Sequence, residues 1–224
     1  MVTTSDATAP TTKRAQRFEP CRWSGVVFVL IGVPGFVLGN PTSPYSARAD
    51  DYVARYAEGA GSAPLGRLLG LGAVIALLWA LARLRIVFPP ERAGQPAGAI
   101  QLAGSLYAAS WVGVIVTAAA TYTAVDHAES FGGFEVVPET AFVIDFIADG
   151  FIWANLVSAA VLVWGIALAS RRTGALPGWL CWVGFVLAPL LPVGWMLFMV
   201  PALVFYLWFA AIVAIVPVRR SAGA

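Results

Sequence analysis

Residues 64–87 read PLGRLLGLGAVIALLWALARLRIV, and Pro89-Pro90 follows. Only Arg67 interrupts the apolar run before Arg83 and Arg85. About 20 such residues cross the roughly 30 Å of hydrocarbon in a bilayer. The block therefore predicts a membrane-spanning helix. Its surroundings make it one of several. The chain has 224 residues, 59% of them hydrophobic and 12% charged. A soluble domain carries about twice that charged fraction, and this one has too few polar residues to cover a soluble surface.

Working outward, further apolar blocks fall at about 21–40, 98–125 and 138–170. Pro34-Gly35 is expected to kink the first, which a membrane helix tolerates. A cleaved signal peptide is the rival reading of that block, because Ala47-Arg48-Ala49 has the small-x-small pattern. The site lies far beyond the apolar run, so a retained helix is favoured. Pro138-Glu139 supplies a helix start for the fourth block, with a proline and an acid in the first turn. From 175 to 218 the chain is apolar for 44 residues. One helix of that length would be roughly 66 Å long, so the stretch is split near 191–194 into spans of about 175–191 and 195–217. Residues 126–137 are expected to form a loop, and 1–20 and 219–224 to be tails, the first of them disordered.

The basic residues test this count. With the N-terminus inside, Lys13, Arg14, Arg17, Arg22, Arg83, Arg85, Arg92, Arg171, Arg172, Arg219 and Arg220 are cytoplasmic, eleven of the fourteen bases. Arg48, Arg55 and Arg67 are left outside, as the positive-inside rule requires. The fold expected is all-α, a polytopic bundle of about six transmembrane helices in the cell membrane with both termini cytoplasmic. In the polar connection 40–63, Arg48, Asp51, Arg55 and Glu58 share one helical face and Tyr52, Val53 and Tyr56 the other. That pattern predicts a short outer helix lying on the membrane surface.

Small residues at spacings of four, Gly66 with Gly70 and Gly72 with Ala76 and Ala80, mark a close-packing face on the second span. Ala99, Ala103, Gly104, Ala108, Ala109 and Gly113 do the same on the third. Packing between neighbouring spans is favoured over a dimer seam. Trp23, Trp79, Trp179 and Trp182 fall near expected inner boundaries, where aromatic anchors belong.

Ionisable groups at membrane depth are the best functional pointers in such a chain. Counting about 20 residues from Arg83 places Arg67 one turn inside the outer edge of the second span. The same count from Arg171 puts Asp149 at the outer boundary of the fourth and Asp145 a turn beyond, on the same face. Arg67, Asp145 and Asp149 are therefore the candidate site. They form either an ion pair pinning two spans, the favoured reading, or an outward-facing polar pocket for a cation, a proton or a small polar solute. Asn155, Gln101, Tyr107, Ser110, Thr117, Thr121 and Thr123 are candidate lining, though such residues more often bond their own backbone.

Several chemistries find no support. His127 is the only histidine, so this chain alone cannot supply a bis-His haem site, and neither a metal nor a cofactor is expected. Cys21 and Cys181 form no CxxC pair. No P-loop, HExxH, GxSxG or dinucleotide fingerprint occurs, and no basic run suggests nucleic acid. The partners expected are the lipid bilayer and either further copies of the chain or another membrane protein.

DDYVARYAEG at 50–59, LWALARLR at 78–85 and SRRTGALPGWLCWVGFVLAP at 170–189 together resemble a group of bacterial six-span membrane proteins. That group is a domain-of-unknown-function family common in high-GC genomes. The specific phrase is Arg172–Leu180, and Cys181 stands where the group usually has glycine. The resemblance implies the six-span topology and no activity. The function expected is a non-enzymatic scaffold or accessory subunit, and the alternative is a small transporter or channel subunit.

Overall fold

The computed structural model describes residues 22–39, 53, 56–58, 61–132, 136–193 and 200–216. Among the described residues the chain is helical, with no strand. The elements are α1 (Ser24–Gly39), α2 (Ala63–Val87), α3 (Pro90–Ala93), α4 (Gln95–Phe131), α5 (Pro138–Thr173), α6 (Gly178–Leu190) and α7 (Val200–Ile215). The expected tails, and Arg48, Asp51, Tyr52 and Arg55 of the expected outer helix, lie outside the described residues.

Local chemistry sets the helix ends. α2 carries Pro64 in its first turn and stops at Phe88, whose N–H bonds the Leu84 carbonyl before Pro89. α4 and α5 end on Gly132 and Gly174, with φ of 59° and 64°. Their N–H groups close on the carbonyls of Ala128 and Ser170. This left-handed stop favours glycine, which has no Cβ to clash. The rule corrects one expectation. Residues 126–131 hold neither Pro nor Gly, so α4 runs six residues past 125 to Phe131, and His127 lies in its last turns rather than in a loop.

α2, α4 and α5 are each long and apolar enough to cross a membrane. The residues expected to form the first, fifth and sixth spans are shorter apolar helices of 16, 13 and 16 residues. At 1.5 Å per residue these reach roughly 20–24 Å, against roughly 55 Å for α4 and α5. The expected division of 175–218 falls between Leu190 and Val200, and its residues 194–199 lie outside the described residues.

α4 and α5 form the most extensive antiparallel pair, and α1 and α2 the next. α2 packs on α4, α6 on α5, and α7 returns to α1, whereas α6 and α7 touch only sparsely. The six longer helices thus form a ring that is weakest between α6 and α7. The α1–α2 seam uses the expected small-residue face. A Cβ built on Gly35 would lie 2.7 Å from the Gly70 nitrogen, and one on Gly66 would strike the backbone of Gly39. The seam is internal to the chain. Phe28, fully buried on α1, meets the rings of Tyr107, Trp111, Tyr206 and Phe209 at 5.6–6.2 Å. These contacts join α4 and α7 to α1.

Outward-facing positions carry the opposite signal to a soluble protein. Leu68, Leu71, Ile75 and Leu78 run along α2 at helical spacing, and Phe146, Trp153, Val157, Val161 and Trp164 along α5, all exposed. Soluble monomers rarely present such continuous apolar stripes. This is a helical chain built to be surrounded by an apolar medium.

Candidate functional site

The polar cluster lies toward the end of the bundle where α4 gives way to α5. Arg67 sits in the first turns of α2, and Asp145 and Asp149 lie one turn apart on α5, all three half-buried. Tyr56, from the segment that precedes α2, is 2% exposed. Its hydroxyl donates to Asp145 Oδ1 at 2.9 Å, and its ring meets Tyr122 of α4 edge-on at 4.7 Å. Burial, followed by the neighbouring Asp145 charge, pushes the Tyr56 hydroxyl far above the usual tyrosine range. The Arg67 guanidinium lies over the other aromatic of this pair, 5.2 Å from the Tyr122 ring centre. Among the described residues its Nε has no hydrogen-bond partner.

The structure therefore brings the three expected residues to one region, where the Tyr56–Tyr122 pair links Asp145 to Arg67 and Asp149 lies one turn further along α5. Among the described residues no ion pair links Arg67 to Asp149. In the described part of the expected surface helix, Val53, Tyr56 and Ala57 pack with Ala118, Tyr122 and Val125 of α4.

Three of the seven other candidate polar residues turn back on their own helix. Ser110 donates to the Leu106 carbonyl, Thr117 to Gly113, and Thr121 to Thr117. Asn155 instead crosses from α5 to the Tyr107 carbonyl of α4 at 3.2 Å. It borders an apolar cavity whose lining does not include Arg67.

Two participants were not legible as such. Tyr56 stood on the predicted apolar face, which implied burial but named no partner. Arg83 was counted as a cytoplasmic charge, yet it is 6% exposed. Its Nε and Nη2 donate to the carbonyls of Val213 and Val216, both at 2.8 Å. These carbonyls end α7, where a helix leaves acceptors unpaired and its dipole favours a cation. Comparison with protein-family models, curated proteins and solved structures finds no match to this chain.

Proposed function

We propose that the chain is an integral protein of the cell membrane with six spans and both termini cytoplasmic, acting as a non-enzymatic scaffold or accessory subunit. The observation that carries the scaffold reading is the use made of the polar cluster. Tyr56 occupies Asp145 and Tyr122 underlies Arg67, so these groups tie the segment before α2 to α4 and α5 instead of lining an open path. Exposed Trp23, Trp79, Trp179 and Trp182 suit the expected inner interface. The likeness of Arg172–Leu180 to the six-span group fits the same topology.

The scaffold reading predicts a partner. A mild-detergent pull-down from native membranes should return a second protein in fixed ratio. Recovery of this chain alone would remove the proposal.

Asp149 favours the second reading, a small transporter or channel subunit for a cation, a proton or a small polar solute. It stacks one turn from Asp145 and has no ion pair with Arg67 among the described residues. A cycle of Asp149→Asn, Arg67→Gln and the double variant measures any coupling between them. Additive losses together with ion flux in proteoliposomes that depends on Asp149 would favour transport. Coupling without flux would favour the scaffold.

A further inference from the structure

α6 and α7 touch only sparsely, and the interval between them is an open groove of about 780 Å³. Trp179, Trp182, Val186 and Leu190 line it as one stripe of α6, and Val200 and Val204 border its far end from the first turns of α7. All six are exposed and none carries a charge. From Trp179 to Leu190 the stripe is roughly 16 Å long. On the membrane reading, on which this inference rests, that length matches the hydrocarbon of one leaflet, half of roughly 30 Å.

The two ends of the groove differ in charge. The Leu190 end is apolar, whereas the Trp179 end opens on the basic face of the bundle. Exposed Arg92, Arg171 and Arg172 stand there against one exposed acid, Glu91, among the described residues. Arg172 is committed to the Ala93 carbonyl at 3.1 Å. Arg171 is not, and it lies beside the groove. Its guanidinium sits 5.9 Å from the ring centre of Phe185, whose ring in turn meets Trp182 at 6.1 Å. Among the described residues Arg171 makes no hydrogen bond or ion pair. A guanidinium held by an aromatic face keeps its N–H donors for an acceptor.

An occupant of this groove must therefore offer an apolar chain of leaflet length and a negative charge at the Trp182 end. A phospholipid with an anionic headgroup has both. A zwitterionic one brings its own cation against the basic face. A second copy of the chain is disfavoured by the same charges. Its orientation in the membrane is the same, so two copies meeting along the groove would set their Arg171 side chains at one depth, where like charges repel.

We propose that the α6–α7 groove seats one anionic phospholipid, an acyl chain lying along Trp182, Val186 and Leu190 and the phosphate held by Arg171.

The test incorporates the full chain into nanodiscs of phosphatidylglycerol and phosphatidylcholine with identical chains. The protein is then released into mild detergent and its retained lipids are counted by native mass spectrometry. Phosphatidylglycerol should be retained over phosphatidylcholine, as a single copy per chain. Arg171→Gln should weaken that retention by about fivefold, the worth of one basic group near an anionic lipid. Arg85→Gln removes the same charge from the same end of the bundle, but on α2, which makes no extensive contact with α6. It should change retention little. Val186→Trp fills the groove from an exposed position and should abolish retention while the melting temperature stays near wild type. Equal retention of the two lipids would overturn the proposal, as would equal effects of the Arg171 and Arg85 variants. So would displacement of the lipid by glycerol phosphate, which carries the charge without the chain, or a dimer that Val186→Trp dissociates. Failure to incorporate would sink the membrane reading and this inference with it, whereas an inserted chain without lipid preference would sink this inference alone.

Discussion

Tyr56 and Arg83 show how a single side chain ties distant parts of this chain together. Tyr56→Phe keeps the ring against Tyr122 and removes only the hydroxyl donated to Asp145. It should lower stability by about 1 kcal/mol, the net worth of one hydrogen bond, read as a fall in melting temperature in detergent. The same pair predicts a pH effect of definite sign. The folded state holds the Tyr56 hydroxyl protonated beyond the ordinary range. Its stabilisation is therefore complete below the unfolded tyrosine pKa of about 10 and is lost as pH rises past it. Wild type should lose stability more steeply than Tyr56→Phe in that window, and parallel curves would exclude the linkage. Arg83→Met removes two charge-assisted bonds to the end of α7. Each such bond contributes about 1.5–3 kcal/mol, so this variant should rank among the most destabilising single changes. Arg85→Met, two residues further on and exposed, should be close to neutral in the same assay.

At the scale of the helix, the α1–α2 seam depends on backbone approach. A methyl group on Gly66 meets the Gly39 backbone, whereas one on Gly98 meets nothing within 4 Å. Gly66→Ala should destabilise by about 1–3 kcal/mol, the usual cost of overpacking. Gly98→Ala, in α4, should be neutral or stabilising by up to about 1 kcal/mol through helix propensity. Paired thermal melts decide between them, and equal losses would mean the seam is looser than its geometry indicates. These helix faces were legible beforehand, because small residues at spacings of four state where a neighbour comes close. Their partner was not, since nothing local to Gly66 or Gly70 says that α1 rather than α4 lies opposite.

Over the whole molecule, the exposed apolar stripes of α2 and α5 require an apolar surround. The chain should stay in the membrane pellet through alkaline carbonate and leave it only with detergent, and release by carbonate alone would contradict the reading. The all-helical class and the starts of α2 and α5 followed from the sequence by itself. Apolar blocks, prolines and glycines act within a few residues of where they stand. The extension of α4 to Phe131 followed the same local rule, which makes the loop expected from 126 a missed reading. Tertiary structure alone decided which residues meet. Tyr56 and Asp145 are 89 positions apart, Arg83 and Val213 are 130 apart, and such pairings depend on how six helices close into a ring.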